Sequence, residues 1–261
     1  MIFKYSLKIC LLCLMLIASR APSLQAQEKP RVLVYVKVTG YAHASIPDGI
    51  KAVEKIAAEN NFIADTTSKN TDFTEDNLKR YAAIVFISTN ANTLDTAQRI
   101  EFERYIEAGG GFMGIHGAST GGKGWPWYVK LVGAQFVSHP EPKEGVLHVE
   151  NADNESTRQY PDHMTWKDEW YNFTNIQSGL NLLLFVDEDS YVGGINGRKH
   201  PIAWYHDFDG GRSFYTALGH FSYHYTDVLF VKHIEGGLKY AMGNNVKLDY
   251  SKVSTPKYTG K

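Results

Sequence analysis

Cysteine is nearly absent from this chain of 261 residues. Its two cysteines, Cys10 and Cys13, both lie within the first 26 residues, which are typical of a cleaved secretory signal. The predicted mature chain therefore has no thiol, and it can form no disulfide, thiolate nucleophile or cysteine-ligated metal site. This excludes cysteine hydrolase and cysteine amidotransferase chemistry.

A long apolar run is also missing. Residues 9–18 are apolar throughout but too short to span a bilayer comfortably, and two lysines precede them. Leu24, Gln25 and Ala26 form a small-residue cleavage pattern. We predict a signal peptide over residues 1–26, a mature protein that is periplasmic or secreted from a bacterium, and no stable membrane span in that mature protein. An uncleaved N-terminal anchor is the alternative.

The chain also has no excess of positive charge. The formal net charge is −1 at pH 7, and removal of a signal with three basic residues and no acid lowers it to about −4. Without a basic run, the composition gives no support for nucleic-acid binding. Aromatic residues make up 13% of the chain, which suits either a carbohydrate-facing surface or an ordinary core.

Strands and helices alternate over the first 120 residues. The predicted strands cover residues 31–38, 62–67, 82–88 and 111–115, and the predicted helices cover residues 46–61, residues 74–80 and a segment from Asp95 to Gly109. This alternation predicts a mostly parallel sheet. Ligands bind beyond the C-terminal ends of such strands, so we expect loops 39–45, 88–94 and 116–124 to line the site.

The second half of the chain is more mixed. Strands are predicted at residues 146–150 and 182–187, followed by a hairpin whose turn is Asp209-Gly210 and a last helix over residues 226–242. We find no linker, and we predict a single domain over residues 27–243. The polar residues 244–261 are expected to lie loosely on its surface.

The stretch GGGFMGIHGAS places His116 directly after a predicted strand, where several α/β enzymes carry a nucleophilic serine or cysteine. Gly114 and Gly117 flank the Ile-His pair and allow backbone or ligand to approach closely. A nucleophile at Ser119 or Thr120 is disfavoured, because neither occupies the turn and small hydroxyl residues near helix starts usually cap the helix.

Four histidines lie in predicted loops or turns: His43, His116, His139 and His220. Imidazole transfers protons near neutral pH and is also the commonest metal ligand. No motif has metal-ligand spacing, so no metal residue or other cofactor is assigned. A divalent metal held by scattered histidines stays open, because ligands need only be near in space.

Two further segments carry candidate residues. In Asp168-Glu169-Trp170-Tyr171, Glu169 can act as a general base, while the aromatic residues can stack on a sugar ring. In the hairpin, Trp204 is a candidate stacking residue. Arg212 can clamp a carboxylate or phosphate, or pair with an acid of the hairpin.

Five motifs in series resemble the ThuA-like (trehalose utilisation) family: TGYAHAS, YIEAGGGFMGIHGAS, FVSHP, DEWY and PIAWYHDFDGGRSFYTALGH. The resemblance covers residues 31–243 and implies a fold similar to class I glutamine amidotransferases, a flavodoxin-like three-layer sandwich with a mostly parallel central sheet. The amidotransferase relatives carry cysteine where ThuA-like proteins carry histidine. The matching residues here are His43, His116, His139, Glu169, Tyr171, Arg212, Gly219 and His220.

The resemblance also implies a role in disaccharide or glycoside breakdown, including routes through 3-keto sugars. We therefore expect an exported enzyme that acts on such a sugar by acid/base chemistry. His116, His220 and Glu169 are the catalytic candidates in this hypothesis. The candidate substrate-binding residues are His43, His139, Tyr171, Trp204 and Arg212. A non-catalytic sugar-binding protein and a metal-dependent hydrolase that uses His43, His116, His139 and His220 are the alternatives.

Overall fold

The computed structural model describes residues 28–243 and 247–260. The predicted signal at residues 1–26 lies outside these described residues. Within them, no helix combines the length and the apolar character needed to cross a membrane.

Strands and helices alternate along the N-terminal half, as the sequence predicts. The strands are β1 Arg31–Tyr35, β2 Ile63–Thr67, β3 Ala83–Ile87, β4 Gly111–Ile115, β5 Gln135–Ser138, β6 Lys143–Val149, β7 His163–Asp168, β8 Asn172–Thr174, β9 Asn181–Asp187, β10 His200–Phe208 and β11 Gly211–Thr216. The helices are α1 Ile46–Glu59, α2 Glu75–Leu78, α3 Thr96–Glu107, α4 Pro126–Val132 and α5 Val228–Met242.

One large sheet organises the described residues, with the strand order β2-β1-β3-β4-β11-β10-β9-β6-β7. The strands from β2 to β11 in this order are parallel, which confirms the predicted mostly parallel centre. The strands beyond β11 pair antiparallel. β5 and β8 form a separate antiparallel pair. The parallel strands have their C-terminal ends at one edge, and the polar loops that leave this edge can meet there.

Helices cover both faces of the parallel sheet, because its central strands β1, β3 and β4 are largely apolar on both sides. In β3, Ile87 faces Gly49 of α1, while the preceding Phe86 faces Phe102 of α3. Every residue of β3 is buried. A continuously apolar run of this kind is typical of a parallel strand that is covered on both faces.

The hairpin prediction is confirmed: β10 and β11 pair around Asp209 and Gly210, which both adopt positive φ. Four short elements were not predicted, namely α4, β5, β7 and β8. They contain seven, four, six and three residues, and they mix apolar and polar residues without a clear period.

The expectation of a loosely lying tail is wrong for residues 249–255, which are hydrogen-bonded to α3 and the residue after it, whereas residues 256–260 are exposed. The carboxylate of Glu107 accepts the backbone N–H groups of Ser254 and Thr255 at 2.7 and 2.9 Å. Arg104 donates to the carbonyl oxygen of Thr255 at 2.6 Å. These hydrogen bonds fasten the tail to α3, an attachment that does not depend on an apolar pattern in the sequence.

Phe86 is the centre of the aromatic core below the C-terminal edge of the sheet. Its ring lies within 6.1 Å of five other rings, those of Tyr35, Phe73, Phe102, Phe112 and Tyr128. We expect Phe86→Ala to lower the free energy of unfolding by about 3–5 kcal/mol, because it removes a buried ring and leaves a cavity. Urea unfolding followed by circular dichroism measures this loss. Val192→Ala, at a position 80% exposed, is the control. A Phe86→Ala loss no larger than that of the control would contradict the packing described here.

Candidate functional site

His116 turns sharply out of the sheet at the end of β4. Its backbone has φ of 51°, a left-handed conformation that is uncommon for a residue other than glycine. The next residue is Gly117, where a Cβ atom would lie 3.1 Å from Cα of Ser88. This tight turn buries the His116 ring completely at the C-terminal edge of the sheet. Backbone strain of this kind is often found at functional sites.

The hydrogen bonds of His116 define which ring nitrogen faces the site. Nδ1 lies 2.7 Å from the carbonyl oxygen of Ala217, which can only accept, so Nδ1 carries the proton. Nε2 points away from the sheet and lies 3.0 Å from the hydroxyl of Tyr171, 3.1 Å from Nε2 of His43 and 3.2 Å from Oε2 of Glu169. A second imidazole completes the group, because Nδ1 of His220 lies 3.1 Å from the same Glu169 oxygen.

These side chains come from separate parts of the sequence. His43 is in the loop after β1, His116 follows β4, and His220 follows β11. Glu169 and Tyr171 lie in the short segment between β7 and β8. The three histidines therefore meet because β1, β4 and β11 are parallel and end at the same edge of the sheet. We call His43, His116, Glu169 and His220 the His–Glu cluster.

Burial and neighbouring charges act together on the cluster. Burial and the nearby His116 lower the pKa of His43 to about 3, so the His43 ring is neutral at neutral pH. Burial by itself would raise the pKa of Glu169. Its contacts with His116 and His220 outweigh burial and hold this pKa well below the ordinary value. Glu169 is therefore ionised and offers a negative oxygen to the cluster.

The pKa values of His220 and Tyr171 are both raised, but for different reasons. Burial works to lower the pKa of His220, but the adjacent Glu169 carboxylate outweighs it and raises that pKa. Burial raises the pKa of Tyr171 well above its ordinary value, so its phenol keeps the proton and can donate to Nε2 of His116. The site thus combines the neutral ring of His43, an ionised carboxylate and a hydroxyl donor.

The contacts at the centre of the cluster favour a positive charge there. When Nδ1 of His116 carries the proton, Nε2 of the neutral ring presents a lone pair, and it faces the Glu169 oxygen at 3.2 Å. Two acceptors at this distance repel each other unless a cation lies between them or a proton resides on Nε2. The geometry therefore suits either a protonated His116 or a bound metal ion.

The spacing of the cluster suits a small divalent cation. Its four members each offer a ligand atom, and these atoms all lie within 4.8 Å of one another. A metal bound about 2.0–2.1 Å from imidazole nitrogen places neighbouring ligands roughly 2.9–3.4 Å apart. Three of the six pairs of ligand atoms, at 3.1, 3.2 and 3.1 Å, fall in this range. The hydrogen bond from Nδ1 of His116 to Ala217 also resembles the outer contacts that orient metal-binding histidines.

A cavity of about 630 Å³ opens beside the cluster. All three loops expected from the sequence contribute to it, through residues such as Tyr41, Ser88 and Thr120. His139 lies at its rim, where Nδ1 is 3.7 Å from Oε1 of Glu169 and 34% of the side chain is exposed. The volume is in the range of small-molecule sites.

Two candidates from the hairpin lie outside this site. Trp204 is fully buried and donates its indole N–H to the carbonyl of Val132, so its expected role as a sugar-stacking surface is wrong. Arg212 is at the N-terminal start of β11, opposite the cluster. It donates to the backbone carbonyls of Gly109 and Ala241, so it binds neither a substrate in this cavity nor an acid of the hairpin.

Other side chains considered in the sequence have structural contacts. Trp170 is fully buried. Ser119 is also buried and accepts a hydrogen bond from Tyr215 at 2.7 Å, while Thr120 donates to the carbonyl of Gly117. These contacts are consistent with the prediction that neither Ser119 nor Thr120 is a nucleophile.

Several cavity residues were not singled out from the sequence. Tyr41 and Ser88 lie in loops that were expected to form the site, so their loop positions were the available signal. Phe136 belongs to the unpredicted strand β5 and reaches the cavity by packing on Tyr171, with ring centroids 4.5 Å apart. No local pattern in the sequence identifies such a long-range contact.

Comparison with known structures supports the fold. A ThuA-like protein from Bacteroides uniformis has a similar structure, with 23% identity over 88% of this chain and 99% of that one and a TM-score of 0.71. A ThuA-like protein from Parabacteroides merdae has 16% identity over 88% of this chain and 98% of that one, with a TM-score of 0.66. The PurLQS structure from Thermotoga maritima, at 14% identity over 81% and 99%, has a TM-score of 0.50.

The fold is therefore of the kind found in ThuA-like and glutamine amidotransferase-like structures. No curated protein sequence matches this chain. The ThuA family, described as trehalose utilisation, matches residues 31–241, which is most of the chain. The chain belongs to the ThuA family.

Proposed function

We propose that this protein is an exported enzyme that processes sugars, and that the His–Glu cluster is its active centre and binds a divalent cation. The observation that carries the proposal is the convergence of three imidazole nitrogens and one carboxylate oxygen beside a cavity of about 630 Å³. The pattern of residues 1–26 supports export. The family description supports a sugar as the substrate.

The cavity offers the contacts that a sugar ring requires. Tyr41 is 72% exposed and its ring lies 4.8 Å from that of His43, so it can cover a ring bound over the cluster. Ser88 has a buried hydroxyl without a hydrogen-bond partner in the described structure, and it lines the same cavity. Aromatic walls with a few polar groups are typical of small-molecule sites.

A 3-keto-glycoside is the substrate class that fits this chemistry. Its ketone acidifies the C–H bond at C2, so a base can remove that proton. The C1–O bond to the leaving group then breaks as a C1–C2 double bond forms, and an acid returns a proton to the departing oxygen. A bound divalent ion would polarise the ketone oxygen. His139, at the rim and outside the ligand set, is placed to exchange protons with substrate.

A second candidate is the same elimination without a metal. The observation that favours it is the 3.0 Å contact between the Tyr171 hydroxyl and Nε2 of His116, which uses the lone pair that a metal would need. In that case His116 is the general acid/base, with Glu169 or His220 as its partner.

We expect the purified protein to bind roughly one equivalent of Zn²⁺ or Mn²⁺ per chain, since the cluster forms one four-ligand site. His116→Ala and Glu169→Gln should each remove this binding, because each takes away a ligand. His163→Ala, at an exposed histidine of β7, should retain it. Elemental analysis after metal loading and desalting measures the content. A wild-type chain without bound metal would contradict the cation assignment.

We expect His116→Ala to reduce turnover of 3-keto-trehalose or a 3-keto-glucoside by a factor on the order of 10² or more, because both candidate mechanisms depend on this ring. Product formation is followed by NMR, with His163→Ala as the control. Normal turnover by His116→Ala would refute the proposed active centre.

Chelator treatment separates the two candidate mechanisms. Activity that is lost and then restored by metal supports the metal-dependent elimination, and activity that persists supports the elimination without a metal.

A further inference from the structure

Asp168 is a buried carboxylate that takes part in neither of the two candidate mechanisms. It ends β7, directly precedes Glu169, and has no exposed surface. A buried carboxylate is costly unless its oxygens are well hydrogen-bonded, so the partners of Asp168 show what it stabilises.

Asp168 has five polar partners in the described structure. Two are side chains, Nε1 of Trp166 and Nδ1 of His224, each 3.4 Å from Oδ2. The other three are peptide N–H groups in the two segments that carry Glu169 and His220. Its Oδ1 accepts the backbone N–H of Glu169 at 2.9 Å and that of His220 at 3.2 Å. Its Oδ2 accepts the backbone N–H of Gly219 at 3.0 Å. One oxygen thus joins the segment after β7 to the loop after β11, which are 51 residues apart along the chain.

The conformation of Gly219 makes this arrangement possible. Its φ of +117° is one that residues with a side chain rarely adopt. This conformation lets two successive N–H groups, those of Gly219 and His220, point to the same carboxylate. A Cβ atom at residue 219 would lie 2.8 Å from the hydroxyl of Tyr225, so the segment has little room to move.

We infer that Asp168 is a positioning residue that sets the separation of Glu169 and His220 and thereby prepares the cluster for its cation. The inference rests on the proposed function for the cation, but the hydrogen bonds themselves do not. With both backbones tied to one oxygen, Nδ1 of His220 is held 3.1 Å from Oε2 of Glu169. Outer contacts that orient ligands in this way typically contribute a factor of about 10–100 to metal affinity.

Asp168→Asn tests this role because it preserves the size of the side chain. The amide retains one acceptor oxygen and replaces the other with an NH₂ donor, which cannot accept a backbone N–H. His233→Gln is the matched control. His233 is also fully buried, and its hydrogen bond goes to the carbonyl oxygen of Ser156. Both variants lose buried polar contacts, but only Asp168→Asn alters those of the cluster backbone.

The experiment is a titration of each metal-free mature protein with Co²⁺, followed by visible absorption, at a temperature where circular dichroism shows all proteins folded. We expect Asp168→Asn to bind Co²⁺ about 10–100-fold more weakly than wild type. His233→Gln should bind like wild type, even at a similar loss of thermal stability. Equal affinities for wild type and Asp168→Asn, or an equal loss in both variants, would overturn the inference.

Two further measurements apply if Asp168→Asn does not fold or if wild type binds no Co²⁺. If Asp168→Asn does not fold, Gly219→Ala moves the same N–H groups while leaving the carboxylate in place. It should weaken Co²⁺ binding likewise, and normal binding by this variant would overturn the inference. If wild type binds no Co²⁺, the cation proposal fails by itself. Histidine-ring NMR then decides: a His220 signal changed by Asp168→Asn but not by His233→Gln supports positioning, and an unchanged signal overturns it.

Discussion

The buried carboxylate of Glu169 is the interaction on which the rest of the site depends. Its oxygens lie 3.1, 3.2 and 3.7 Å from ring nitrogens of His220, His116 and His139. A carboxylate in a desolvated position is unfavourable unless positive charge or hydrogen-bond donors surround it. The ring nitrogens of the imidazoles therefore face one point. Protons or a metal ion held there offset the negative charge of the carboxylate.

The fold brings these groups together through the parallel sheet. β1, β4 and β11 end at one edge, and the left-handed turn at His116 directs its ring toward the loops that leave this edge. The resemblance noted in the sequence implies that amidotransferases of similar fold carry a cysteine at this turn. The described part of this chain has no cysteine, so the same turn presents a ring nitrogen. Such a nitrogen can transfer a proton or bind a metal.

Sequence patterns predicted the parallel half of the fold well, because the fully apolar β3 and the Asp209-Gly210 turn are strong local signals. They also indicated His116 and His220, since both follow strands. They failed for Trp204, whose burial depends on its distant contact with Val132. They failed likewise for the tail, which Glu107 holds by hydrogen bonds across 147 and 148 residues. Long-range contacts such as these have no local period.

Crystals of the protein grown with Zn²⁺ and measured at the zinc absorption edge show directly whether the His–Glu cluster binds a cation. We expect an anomalous peak about 2.0–2.1 Å from the ring nitrogens of the cluster histidines, His43, His116 and His220, and from a carboxylate oxygen of Glu169. A fully formed cluster without a peak, or a peak bound only elsewhere on the chain, would contradict this expectation.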